Sequence, residues 1–217
     1  MDAEREKKAA AAAAAELVEP GMSVGLGTGS TVIHLLTALA ERNLDFSCVA
    51  TSPQTERAAR DLGFDVRAFG TEGGLSRLDI AIDGADQVSP DEWLVKGGGG
   101  AHTREKLVAA AAARFVVIVS SDKLVERIAP PIPLELLAFG MQATLARLGD
   151  ARVRDVPPSP DGGVIADYLG EVGVPGALAA RLSGTPGVVE HGLFPPSMVS
   201  EVLVGRGDSV ERIAVSV

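Results

Sequence analysis

The spacing of apolar residues changes several times along the chain, and each change predicts an element. An alanine-rich stretch from about Ala3 to Val18 reads as a helix stopped by "EPG", where proline and glycine cannot continue it. "MSVGLG" then reads as a short strand, and in "TGSTVIHLLTALAERN" Val32, Leu35, Leu36 and Leu39 fall on one helical face. "FSCVAT" predicts a second strand, "PQTERAARDLG" a helix closed by glycine, and "FDVRAF" a third strand. "LDIAIDGAD" is a strand running into two aspartates, and "EWLVK" a strand running into four glycines. "TREKLVAAAAAR" is a helix and "FVVIVSSDK" a strand that ends in a lysine. Strand and helix alternate in this way when a mainly parallel sheet is doubly wound, and ligands then gather at the carboxyl ends of the strands.

From Pro130 the order changes to "PIPLELL" (strand), "FGMQATLARLG" (helix), "ARVRDV" (strand), "GVIADYL" (strand), "VPGALAARLSG" (helix) and "GVVEHGLF" (strand). This is β-α-β-β-α-β, the split pattern of a small ferredoxin-like domain, with "VPPSPDGG" as its hairpin loop. "SEVLVG" and "VERIAVSV" read as two closing strands that return to the first sheet. The predicted fold is therefore α/β, Rossmann-like and doubly wound, with an inserted ferredoxin-like α+β domain. The expected division is 1–128 with 196–217 for the first domain and 129–195 for the second.

Composition narrows the chemistry. Only 4% of the residues are aromatic while 46% are hydrophobic, so aliphatic side chains fill the core. A net charge of -9 argues against a sequence-independent grip on nucleic acid or on an anionic membrane. Any anionic ligand must then be held by a few local donors. Cys48 is the single cysteine, which suits buried packing in a reducing compartment. The run Ala9 to Ala15 is not read as a leader, because Asp2, Glu4 and Glu6 precede it and no membrane-length apolar stretch follows. A cytoplasmic protein is expected.

Four motifs fall at predicted strand ends. "GLGTGST", Gly25 to Thr31, joins a strand to a helix, where backbone amides and hydroxyls can cradle a phosphate. The plainer alternative is a tight turn with a capped helix. A dinucleotide fingerprint is missing, since Ser30 stands where a third glycine is needed. "DGAD", Asp83 to Asp86, is either an acidic turn or a pair of carboxylates for sugar hydroxyls; His34, His102 and His191 are too scattered to complete a metal site. In "KGGGGAHTREK" Lys96 and the amides after it can stabilise an oxyanion, while Glu105 sits in a first helical turn whose dipole favours its charged form. A hinge with a solvated helix start would explain Glu105 but not four glycines. Lys123 in "SSDK" and Lys7 in the first helix are either surface charges or phosphate ligands.

In combination and order these stretches resemble the A-type ribose-5-phosphate isomerase family over nearly the whole chain, together with "ATSPQTERAARDLG" and "PGVVEHGLF". The resemblance implies a Rossmann-like domain with a ferredoxin-like lid. It implies interconversion of ribose 5-phosphate and ribulose 5-phosphate through a cis-enediolate, with no cofactor and no metal. Glu105 would be the general base, and Lys7, Thr28, Gly29, Ser30, Thr31 and Lys123 would surround the phosphate. Asp83 would act in ring opening and Asp86 in moving protons among hydroxyls, with Gly84 and Ala85 in the same substrate-contacting turn. Lys96 with Gly97, Gly98 and Gly99 would face the developing oxyanion. A homodimer, or a tetramer, is expected from the family. Two departures stand out: His102 where an apolar residue belongs, and "PDGG" where Asn-Gly-Asn is common.

Two other classes are open to such a fold. A sugar-phosphate sensor would need a DNA-binding helix-turn-helix, for which an acidic chain of 217 residues leaves no room. A sugar-phosphate deaminase or coenzyme A transferase would leave the spacing of "KGGGGAHTREK" unexplained.

Overall fold

The computed structural model describes residues 3–215. In chain order the elements are α1 (Ala3–Ala15), β1 (Ser23–Leu26), α2 (Ser30–Arg42), β2 (Ser47–Ala50), α3 (Pro53–Asp61), β3 (Asp65–Val66) and β4 (Leu78–Asp83). Then come β5 (Gln87–Val88), β6 (Leu94–Val95), α4 (His102–Ala111), β7 (Ala112–Ser120), a 3-10 turn (Ser121–Lys123), β8 (Ile132–Leu136), α5 (Met141–Leu148) and β9 (Ala151–Val153). The last are β10 (Val164–Tyr168), α6 (Pro175–Ser183), β11 (Val188–His191), β12 (Leu193–Phe194), β13 (Glu201–Arg206) and β14 (Ser209–Ala214). They form two compact units. One takes the chain up to Ala85, then Arg104–Lys123 and the chain from Ser197; the other takes Asp86–Thr103 and Leu124–Pro196.

The first unit holds a seven-stranded sheet in the order β14-β13-β7-β4-β1-β2-β3, parallel except where β14 pairs with β13. From β1 the chain winds outward through α2, β2, α3 and β3, then restarts beside β1 with β4. The switch point is therefore between β1 and β4, where Gly25 pairs with Ala81 and Leu26 with Ile82. Strand connections leave in opposite directions there, which opens a crevice at the carboxyl ends. Val24, Leu26, Ile80, Ile82, Val116 and Ile118 pack against the helical face Val32, Leu35, Leu36 and Leu39. The alanine run also has a structural reason. A Cβ on Gly205 of β13 would overlap the backbone of Glu6, so α1 lies with its main chain against the strand, and Ala10, Ala11 and Ala14 keep that approach close.

The second unit contains β8-α5-β9-β10-α6-β11, folded as a four-stranded antiparallel sheet in the order β11-β8-β10-β9. Its core is Ile132, Leu134, Leu136, Leu148, Ala166, Leu178 and Leu182. A three-stranded sheet, β12-β6-β5, belongs to the same unit.

Several boundaries differ from the periodicity reading. The first helix stops at Ala15, since Leu17 and Val18 donate to carbonyls three residues back in a tightening turn. The "EWLVK" strand is only Leu94–Val95 and pairs antiparallel with β5 and β12 instead of joining the parallel sheet. "GVVEHGLF" splits at Gly192, because β11 pairs with β8 while β12 pairs with β6. A Cβ on Gly192 would strike the Lys96 carbonyl and Pro133, so only glycine passes between those partners. The helix before β7 runs into it at Ala111 with no loop. The final residues of the expected closing strand, 216 and 217, lie outside the described residues, as does Asp2.

Candidate active site

In the first unit Asp83 and the loop that leads from β1 into α2 meet at the switch point. Asp83 ends β4, buried, and its Oδ1 accepts the N–H of Thr28 at 3.0 Å and of Gly84 at 2.7 Å. This fit requires Gly27, where a Cβ would overlap the Asp83 carboxyl. Thr28 Oγ1 lies 2.8 Å from Thr51 Oγ1, and Thr55 donates its hydroxyl to the Gly27 carbonyl at 2.8 Å. The loop is thus braced from β2 and α3. Gly29, at φ +118°, turns the chain into α2, and Ser30 and Thr31 form its first turn. Four N-terminal amides of a helix have no internal acceptor and carry partial positive charge, so this end suits a phosphate.

Lys7 and Lys123 come from neighbouring elements. Glu6 joins them: its Oε2 accepts the N–H of Ser121 at 2.8 Å and the hydroxyl at 2.7 Å, and Oε1 accepts the N–H of Gly207. The Ser121 hydroxyl, then its N–H, hold the Glu6 carboxyl below the usual carboxylate range. Lys7 Nζ donates to Glu4 at 2.6 Å, and Lys123 Nζ lies 3.2 Å from Asp122. The Lys7 contact, then the one from His34, lower the Glu4 carboxyl as well.

Glu105 is buried, 4% exposed, in the first turn of α4. Val108, three residues on and so on the same helical face, packs on β1: a Cβ at Gly25 would lie 2.5 Å from its Cγ1. The helix ends at the starting edge of the sheet, where Ala112 pairs with Leu78. Glu105 therefore faces the sheet from the side of the strands' carboxyl ends.

In the second unit the glycine stretch is a tight turn. Gly97 has φ +100°, and the Gly100 N–H returns to the Gly97 carbonyl at 3.0 Å. A Cβ on Gly97 would lie 2.6 Å from His102 Nδ1, so the fully buried His102 fills the space beneath the turn that an apolar residue was expected to occupy. The Gly98 N–H donates to Asp86 Oδ2 at 2.8 Å, and Asp86 is itself tied through its N–H to the Val95 carbonyl at 2.7 Å. Ala85 closes the first unit's part of this acidic turn, half-buried. Gly99 is exposed at the turn's tip. Lys96 is buried with Nζ 5.5 Å from the centre of the Phe194 ring, a cation–π distance. Among the described residues, no three His, Cys, Asp or Glu side chains gather as metal ligands. No helix among them is long and apolar enough to cross a membrane.

A family model described as ribose 5-phosphate isomerase A (phosphoriboisomerase A) matches residues 47–209. The chain belongs to the ribose 5-phosphate isomerase A family. Ribose-5-phosphate isomerase A of Halobacterium salinarum is 45% identical to it over 220 residues, covering 96% of this chain and 95% of that relative. The crystal structure of ribose 5-phosphate isomerase A from Neisseria gonorrhoeae superposes with a TM-score of 0.91 at 28% identity, over 98% of this chain and 97% of that one. A solved D-ribose-5-phosphate isomerase in complex with phospho-erythronic acid is similar at a TM-score of 0.90 and 31% identity, over 99% and 100% of the two chains.

Within this isomerase-family fold, several polar residues escape sequence reasoning. Thr51 and Thr55 sit in a motif the resemblance used, yet nothing local marks them as braces for Gly27 and Thr28. Glu6 reads as a solvated helix charge, but the close approach of α1 to Gly205 buries it. Glu135 is buried in β8 and accepts the hydroxyls of Thr103 and Ser159. Its position in a five-residue strand that is buried throughout, "IPLEL", is the one signal that could have found it. Cys48 is buried in β2, where desolvation pushes its thiol up to about 12.

Proposed function

We propose that the chain interconverts ribose 5-phosphate and ribulose 5-phosphate, with Glu105 carrying the proton between C2 and C1 of a cis-enediolate. Aldose and ketose are isomers, so the step moves a proton and an electron pair within the substrate and no net oxidation occurs. Lys7, Thr28, Gly29, Ser30, Thr31 and Lys123 hold the phosphate; the helix start at Ser30 and the two lysines supply the positive field. Asp83 promotes opening of the sugar ring and Asp86 moves protons among the hydroxyls, with Gly84 and Ala85 in contact with the sugar. Lys96 and the amides of Gly97 to Gly99 stabilise the enediolate oxygens, and donors fixed in advance do so without reorganising.

The observation that carries this reading is the family match over residues 47–209, which encloses Asp83, Asp86, Lys96, the glycine turn, Glu105 and Lys123. A homodimer working in the cytoplasm completes the proposal on the family's habit alone. The direct test follows ribulose 5-phosphate formation from ribose 5-phosphate. Glu105→Gln keeps the shape and removes the base, so turnover should fall by at least about 10²-fold. Near-parental turnover in that variant would exclude Glu105 as the base.

A further inference from the structure

Arg154 follows β9 and reaches two parts of the second unit at once. Its Nη1 donates to the carbonyl oxygens of Gly97 at 3.1 Å and Gly98 at 3.0 Å. Its Nε and Nη2 grip the two carboxylate oxygens of Asp167 on β10 at 2.7 and 2.6 Å. The two side chains are only 17% and 18% exposed, and a bidentate fork of this kind holds the guanidinium in one orientation. Nothing in the local sequence marks this pair, and the sugar chemistry derived above does not use it.

The peptide groups of the glycine turn are trans and planar, so each N–H points opposite to the carbonyl of the same peptide. Capture of the Gly97 carbonyl therefore sets the direction of the Gly98 N–H, the one that donates to Asp86 Oδ2 at 2.8 Å. Capture of the Gly98 carbonyl aims the Gly99 N–H away from the guanidinium. Left alone, four glycines would let these peptides flip, because glycine visits both signs of φ with similar ease. Preset donors need an anchor outside the turn, and the guanidinium is one. Its charge also polarises both peptides, which strengthens their N–H groups as donors.

We propose that Arg154, clamped by Asp167, is a positioning residue for the isomerisation: it presets the Gly98 and Gly99 amides, and with them Asp86, before charge develops on the substrate. The inference rests on the oxyanion role assigned to the glycine turn. An ion pair that only stiffens the four-stranded sheet would change Tm and leave catalysis by the folded protein untouched.

The test compares the parent with Arg154→Met, Arg154→Lys and Asp167→Asn. It reads kcat and KM for ribose 5-phosphate, inhibition by phospho-erythronic acid and by inorganic phosphate, and Tm. The first inhibitor carries a carboxylate whose paired anionic oxygens resemble the enediolate; the second reports the phosphate site alone. In Arg154→Met kcat should fall about 10- to 100-fold, less than the 10²- to 10³-fold loss when an oxyanion donor is deleted outright, with KM changed little. Affinity for phospho-erythronic acid should fall with kcat while affinity for phosphate holds. Arg154→Lys, which keeps the charge but cannot serve two carbonyls and a carboxylate together, should recover only part of the loss. Should Arg154→Met not fold, Asp167→Asn gives the same readout with the guanidinium present and loosened. Parental kcat in the folded variants, or equal weakening of both inhibitors, would overturn the inference while an active parent left the isomerase reading standing. A parent that does not isomerise ribose 5-phosphate would overturn both.

Discussion

Gly27 has no room for even a methyl group, because the Asp83 carboxyl occupies that space and accepts the amides of Thr28 and Gly84. Two motifs, "GLGTGST" and "DGAD", thereby become one structure. Each motif was visible along the chain as a set of residue types at a strand end. Their junction was not, since it depends on the β1–β4 register, which no local pattern states. The same holds for Arg154, which binds carbonyls 57 and 56 residues away. A sequence shows which side chains have chemistry; distant pairings decide which backbone groups those side chains hold. Lys123 gives a prediction at this scale. It is partly exposed and its Nζ lies 3.2 Å from the Asp122 carboxylate, a solvated partner with which a phosphate can compete. Lys123→Ala should raise KM for ribose 5-phosphate by roughly 10- to 150-fold, the equivalent of about 1.5–3 kcal/mol for a charge-assisted contact. Steady-state assays that return the parental KM would remove Lys123 from the phosphate site.

Among the elements, α1 shows why composition misleads. A run of alanines reads as a helix of high propensity and little else, yet its small side chains let the helix backbone rest on Gly205 and bring Glu6 to Ser121 and Gly207. Glu6 ties the helix bearing Lys7 to the turn bearing Lys123. The Ser121 hydrogen bonds depress its carboxyl from the ordinary value near 4.5, so the ionised form is favoured in the folded state. A group with a depressed folded pKa stabilises the fold above its unfolded pKa, and that contribution disappears as pH falls through the folded value. Glu6→Gln should therefore lower Tm by a few degrees at neutral pH, with the difference from the parent shrinking steadily below about pH 4.5. Melting curves with a pH-independent difference would contradict this. The long elements were readable from period and punctuation: β1, α2, β4, β7 and the β-α-β-β-α-β series of the second unit. The short extent and the mutual pairing of Leu94–Val95 and Leu193–Phe194, inside the strands expected of "EWLVK" and "GVVEHGLF", were not, because two apolar residues carry no period and these two pairs lie about a hundred positions apart.

At the scale of the whole molecule, charge and core composition constrain the account more than any single motif. An acidic chain that binds a phosphorylated sugar cannot rely on a positive field over its surface, so under the proposed function the work falls to local devices: the helix start at Ser30 with Lys7 and Lys123, and the amides of the glycine turn. The doubly wound order was readable because β1, β2 and β3 each follow a helix in turn. The grouping of Asp86–Thr103 with the antiparallel unit comes from pairings that skip most of the chain. The central claim is that one carboxylate, Glu105, moves hydrogen between adjacent carbons as a proton. It is tested most directly by supplying ribose 5-phosphate deuterated at C2 and reading the label in the ribulose 5-phosphate and in the water. The account predicts deuterium divided between C1 and solvent for the parent, and neither transfer nor release above background for Glu105→Gln. Parent-rate loss of the C2 label in Glu105→Gln, or complete retention at C1 in the parent as a hydride shift would give, would contradict it.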